Sequence, residues 1–222
     1  MTKDLTTPSP SRAALDAFLQ KHALQRRNGG RGRLVFSLDA TASRKPTWDL
    51  ATSLTAPMLK AVGGLLDCQL VFYRGLSECK ASPWVSDGSE LTNLMKRVHC
   101  EAGETQIGRI LAHARKEDIK QKVQALVFIG DACEENPDVL HIAAKQLGCP
   151  AFMFQEGDDP EVTKVFADIA RVTGGAHCKF DRSSAKQLAE LLSAIAAFVV
   201  GGRQALENMS TPGAVKLLQQ LK

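Results

Sequence analysis

The chain has 222 residues, 44% of them hydrophobic, which suits one α/β domain with a full core and short extensions. The net charge of +4 is uneven: residues 1–33 carry seven cationic against two acidic side chains, while the rest of the chain carries 21 against 22. The basic character therefore belongs to an N-terminal arm, which argues against a nucleic-acid-binding fold in the main body.

In chain order, Thr2–Ser11 is polar and holds prolines, the composition of a disordered start. Ser11–Leu24 places Ala14, Leu15, Phe18, Leu19 and Leu24 at helical spacing, an amphipathic helix. Arg26–Arg33 mixes glycines with arginines and reads as a flexible linker. The boundaries expected are therefore 1–33 for an N-terminal helix and basic linker, 34–200 for the main domain, and 201–222 for a C-terminal extension. Strands are expected at Leu34–Leu38, Gln69–Tyr73, Leu126–Ile129, Ala151–Gln155 and His177–Phe180, with a weaker one within Glu78–Val85. Helices are expected at Asp49–Asp67, Glu90–Val98, Thr105–Lys116, Pro137–Leu147, Pro160–Thr173 and Ser184–Val200. Gly201-Gly202 should disrupt the last of these, and Ser210-Thr211-Pro212 should start a short amphipathic helix. Helices alternating with apolar strands imply parallel strands joined by crossovers, a Rossmann-like three-layer α/β/α sandwich.

The six cysteines are scattered without a C-x-x-C pair, as expected of reduced core thiols. The N-terminus lacks an apolar signal core, and the run Ala194–Val200 is too short to span a bilayer. A soluble, cytoplasmic protein without membrane contact is the expectation.

Asp39-Ala40-Thr41-Ala42-Ser43 follows the first apolar strand and puts three hard oxygen donors on one loop. Such donors suit a small divalent cation. Asp, Ser and Thr are also common turn and cap residues, so the loop alone decides little. Two later stretches add weight. Gly103-Glu104-Thr105 supplies a hydroxyl at a helix start, and Ile129-Gly130-Asp131 an acid after a strand. In an open α/β sheet all of these lie at the carboxyl ends of strands, where ligands gather.

This ordered set resembles the von Willebrand factor A (VWA) domain and its metal-ion-dependent adhesion site (MIDAS): D-x-S-x-S, then a Thr in a Gly-rich turn, then an Asp after a later strand. Phe166-Ala167-Asp168-Ile169-Ala170-Arg171-Val172-Thr173-Gly174-Gly175 is similar to the family's L-x-x-I-A-x-x-T-G-G helix end. The resemblance covers Arg33 to Val200. It implies a VWA fold and a Mg²⁺ site, with Mn²⁺ as a substitute, at Asp39, Thr41, Ser43, Thr105 and Asp131. It also implies direct coordination by the hydroxyls of the first loop, acids acting partly through water, and one open coordination position that an acidic residue of a partner protein can fill. Members of the stand-alone intracellular kind serve as adaptors or subunits of assemblies, some containing ATPases. Three departures stand out. Thr41 replaces the usual Ser, Ala132 follows Asp131 where Gly is common, and Glu104 adds an acid that either serves the site or complements a helix start.

Catalysis is not expected. A haloacid-dehalogenase-like phosphotransferase would need an acid at Thr41, and a metal nuclease would need more carboxylates and a base. Gly29-Gly30-Arg31-Gly32 lacks the Lys-Ser/Thr of a P-loop, and the five histidines show no H-x-x-x-H spacing. The alternative to a metal-dependent interaction module is a scaffold domain with a vestigial metal site. Trp48 is expected to open a core helix, although it and Trp84 also suit the role of partner anchors at the site rim.

Overall fold

A computed structural model describes residues 30–181 and 184–221. The expected helix at Ser11–Leu24 and most of the basic arm lie outside the described residues. Six strands, β1 (Gly32–Asp39), β2 (Leu66–Arg74), β3 (Glu78–Val85), β4 (Ala125–Gly130), β5 (Ala151–Glu156) and β6 (Ala176–Phe180), form one sheet in the order β3-β2-β1-β4-β5-β6. Only the β2–β3 pair is antiparallel. The other neighbours are parallel, because helical crossovers return the chain to the same edge. This is the Rossmann-like sandwich the alternation implies.

Seven α-helices are described: α1 (Lys45–Ala61), α2 (Gly88–Lys96), α3 (Ile107–Lys120), α4 (Pro137–Lys145), α5 (Pro160–Thr173), α6 (Ala185–Glu207) and α7 (Pro212–Leu218). Alternating strand residues feed two cores. Leu34, Phe36 and Leu38 of β1 pack with α1, α2, α6 and α7. Val35 of β1 and Phe128 of β4 pack with α3, α4 and α5. Trp48 is buried in the first core, edge-on to Phe72 at 5.8 Å, and its indole N–H donates to the Met95 carbonyl at 3.1 Å. It is a core residue, and truncation to Ala is expected to cost about 3–5 kcal/mol.

Of the boundaries that differ from expectation, three bear on how the fold is built. α1 starts four residues earlier than Asp49, with Pro46 in its first turn, and stops before Gly63-Gly64, both at positive φ. β1 starts at Gly32, not Leu34, because Arg33 belongs to the fold rather than to the arm. Its guanidinium pairs with Glu117 at 3.2 Å and lies over the Trp84 ring at 3.8 Å. Trp84 is thereby also accounted for away from the site rim. Finally, the segment read as a C-terminal extension places Ala205, Leu206, Ala214 and Leu217 in the first core. Gly202 interrupts the helical path of α6 at φ 65°, after which the helix resumes. α6 is long and apolar enough to span a bilayer by length and composition, yet Leu188, Leu191, Leu192 and Ile195 pack in the domain core.

Candidate functional site

Strand order reverses between the parallel neighbours β1 and β4, whose following helices α1 and α4 pack on opposite faces of the sheet. The crevice at such a switch point opens at the carboxyl ends of the two strands. Asp39 is the last residue of β1, and Asp131 follows the last residue of β4. The two carboxylates are close enough for Asp131 to raise the proton affinity of Asp39.

Asp39 is buried, and its Oδ1 accepts the Thr41 amide N–H at 2.7 Å, which folds the loop back on itself. The Thr41 and Ser43 hydroxyls stand 3.5 Å apart. Among the described residues no ion pair reaches Asp39. Burial therefore dominates and pushes its carboxyl above the ordinary carboxylate range, with the Thr41 bonds and the more distant Arg44 only partly offsetting it.

Thr105 is buried before α3 and is held in two directions. Its amide donates to Glu134 Oε2 at 2.9 Å, and its Oγ1 accepts the Glu134 amide at 2.9 Å. Glu135 takes the amides of Ile107 and Gly108, the latter at 2.8 Å. Thus Glu134 and Glu135, two loops away in sequence, satisfy the start of α3 and complement its dipole. Glu104, the acid singled out from sequence, is exposed, and its amide donates to the Gly75 carbonyl at 3.3 Å. Gly103 lies against that turn so closely that a Cβ would come within 2.1 Å of the Gly75 carbonyl oxygen. Ala132 does not need the conformational freedom of glycine, since no non-glycine residue among those described has positive φ.

Besides Glu134 and Glu135, sequence reasoning missed Arg44, Glu156 and Tyr73. Arg44 follows the D-x-T-x-S run directly and is only 1% exposed. Its guanidinium donates to Asp131 Oδ2 at 2.8 Å and also pairs with Glu156 at the end of β5, while the Thr47 hydroxyl donates to the same Glu156 oxygen. The signal available was an arginine after the last loop hydroxyl and an acid closing a predicted strand. The third is Tyr73, which pairs with Asp39 in the β1–β2 register. Its hydroxyl is buried without a hydrogen-bond partner among the described residues. Burial and the nearby charges of Asp39, Glu135 and Asp131 push it well above its ordinary range, and Asp39 approaches it without a bond of ordinary geometry.

The structure thus brings Asp39, Thr41, Ser43 and Asp131 to one end of the sheet and ties Thr105 to the loop after Asp131. Among the described residues no group of three or more His, Cys, Asp or Glu side chains is placed to hold a metal ion, so a cation here would depend on the hydroxyls. Two carboxylates and three hydroxyls are hard donors of the type Mg²⁺ accepts. Among the described residues, His113, His141 and His177 bond to Gln69, Asp168 and Gln155.

The sheet order, the single antiparallel edge strand and the carboxyl-end crevice define a VWA fold. No protein-family model matches the sequence, and no curated protein matches it either. Solved structures do match in fold. The VWA domain of SpRpn10 superposes with a TM-score of 0.56 at 14% identity, over 78% of this chain and 97% of that one. The vWF domain of the type V pili tip protein Mfa5 from Porphyromonas gingivalis gives 0.55 at 11% identity, over 75% and 94%. The PilB minor pilin from Streptococcus sanguinis gives 0.56 at 12% identity, over 78% of this chain and 62% of the pilin.

Proposed function

We propose that this domain is a protein-interaction module whose carboxyl-end crevice captures a partner through a divalent cation, Mg²⁺ or Mn²⁺, held by Asp39, Thr41, Ser43, Thr105 and Asp131. The observation that carries this reading is the charge imbalance at Asp39. Arg44 pairs with Asp131 and Glu156, whereas among the described residues no ion pair reaches the buried Asp39. The Tyr73 hydroxyl, which has no hydrogen-bond partner among the described residues, adds a polar group beside Asp39. When bound, the ion would supply residual positive charge for a carboxylate of the partner, a contact water cannot match. The protein's own residues fix the loop, through Asp39 and Thr41, and hold Thr105 against Glu134. The VWA neighbours that are parts of pili agree with a role in attachment or assembly. By the same reading the protein is an adaptor or subunit of a cytoplasmic assembly, including one built around an ATPase, and is not an enzyme.

A second reading has its own support. The Arg44 guanidinium already occupies one oxygen of Asp131, as it would in a scaffold domain with a vestigial metal site. One experiment separates the two. A partner identified by pull-down is titrated against wild type, Thr105→Ala and Asp131→Ala, in Mg²⁺ and in chelator. Affinity that falls with chelator and with both substitutions, in folded proteins, supports the metal-dependent module. Affinity indifferent to all of them assigns binding to another surface.

A further inference from the structure

The buried arginine is the feature of this crevice that the divalent site does not absorb. Its position is built into the backbone. A 3-10 turn over Ala42–Arg44 follows Thr41 and contains Ser43, and the Arg44 amide donates to the Thr41 carbonyl at 3.0 Å. Helix α1 then starts at Lys45, so the side chain has one way to go, inward across the ends of β4 and β5. There the guanidinium spreads its donors over two carboxylates 25 residues apart in sequence. Asp131 is 31% exposed and open to the crevice; Glu156 is 6% exposed and shares an oxygen with the Thr47 hydroxyl. The geometry makes Asp131 a shared ligand. One oxygen is committed to a fixed internal cation, and the carboxylate is the same one the divalent site requires.

We propose that Arg44 is a resident cation that sets the affinity of the crevice for divalent ions at a low level, by competing for Asp131 and by its own charge, with Glu156 as the counter-charge that limits this effect. The inference rests on the divalent reading of the site and says what tunes it. Two like-charged groups that share a carboxylate repel each other, and burial weakens the screening that would hide this. The same contact joins the loops after β1 and β4 to the end of β5, so Asp131 stays in place whether or not an ion is bound. The guanidinium suits this task because its planar fork serves two acids at once; a lysine ammonium is a point charge and serves them less well.

The prediction has opposite signs at the two partners, which a merely structural role does not give. Removing Arg44 frees Asp131 and deletes a repelling charge, so Arg44→Met should bind tighter. Neutralising Glu156 deletes an attracting charge and leaves Arg44 to Asp131 alone, so Glu156→Gln should bind more weakly.

The test is Mn²⁺ binding to the full chain, followed by the loss of the free-ion paramagnetic resonance signal. Wild type, Arg44→Met, Arg44→Lys, Glu156→Gln and Asp39→Ala are titrated, with folding of each checked by circular dichroism. The expected result is at least tenfold tighter binding in Arg44→Met, an intermediate value in Arg44→Lys, weaker binding in Glu156→Gln, and none in Asp39→Ala. If Arg44→Met does not fold, Glu156→Gln carries the test, and unchanged or tighter binding there overturns the proposal. Weaker binding in both Arg44→Met and Glu156→Gln also overturns it, while leaving the divalent site standing provided Asp39→Ala abolishes uptake. Uptake by Arg44→Met but not by wild type upholds the proposal and defeats the divalent reading for the natural protein. No uptake by any folded variant defeats both.

Discussion

Thr105 and Glu134 hold each other through two hydrogen bonds of 2.9 Å, amide to carboxylate in one direction and amide to hydroxyl in the other. This reciprocal contact is how a residue before α3 is fixed to the loop that follows Asp131. Thr105→Ala removes one of the two bonds and leaves the Glu134 amide without that acceptor. A stability loss of about 1 kcal/mol is expected in a denaturant melt. If the proposed site is right, the loss of divalent-ion affinity should be larger than that, because the hydroxyl is also one of its five proposed oxygens. Equal losses in both measurements would assign Thr105 to structure alone.

Arg33 and Glu117 form a second buried ion pair, far from the crevice, at the amino end of β1. Trp84 donates to the same Glu117 carboxylate at 2.9 Å. Glu117→Ala leaves Arg33 buried without its acid and should destabilise the protein by about 3–5 kcal/mol. Arg33→Met combined with Glu117→Leu replaces the pair by apolar groups and should cost much less. Chemical denaturation of both variants measures the difference.

The six cysteines are free thiols, and their burial should order their reactivity. Burial pushes the Cys149 thiol up to about 12 and the Cys178 thiol up to about 11, and raises Cys68 further still. Thiolate is the reactive form, so these three should resist alkylation of the native protein at pH 8. Cys79, Cys100 and Cys133 are half-buried and should be labelled first. Mass spectrometry after timed alkylation reads the order, and denaturation should expose all six.

Asp168 links α5 to α4 through His141, at 2.6 Å. Partial burial raises the Asp168 carboxyl, but the bonds from His141 and Arg171 outweigh this and hold it below the ordinary carboxylate range. The native state therefore binds this proton less readily than the unfolded chain. The stabilisation is present in full above the ordinary carboxylate range and is lost as pH falls through the lowered value. Asp168→Asn should destabilise the protein at neutral pH by about 1 kcal/mol or less, since the pair is partly exposed and screened. The difference from wild type should vanish in strong acid, as measured by urea melts across pH.

The parallel sheet was legible because its strands are short apolar runs, and α5 was legible to the residue. Asp159 caps α5 by accepting the Glu161 amide at 2.8 Å, Pro160 fills its first position, and Gly174 closes it at φ 75°. α1 was not, because its N-cap is Arg44, which is not a usual capping residue and makes no side-chain cap bond. The five residues proposed as oxygen donors could be picked out from sequence because each sits beside a strand or helix end. Arg44 and Glu156 could not, since the pair joins residues 112 positions apart and only the β1-β4-β5 order brings them together. The same holds for Glu134 and Glu135 at the start of α3, where an expected local cap, Glu104, is replaced by acids from another loop.

The central claim is that the carboxyl-end crevice holds a divalent ion on Asp39. Thermal unfolding of wild type and Asp39→Ala, each in Mg²⁺ and in chelator, tests it most directly. An ion that binds only the folded state at ten times its dissociation constant stabilises by about 1.4 kcal/mol. For a domain of this size that is a rise of roughly 3–6 °C. The expected result is such a rise in wild type that is absent in Asp39→Ala; superimposable melting curves for wild type with Mg²⁺ and with chelator would contradict the claim.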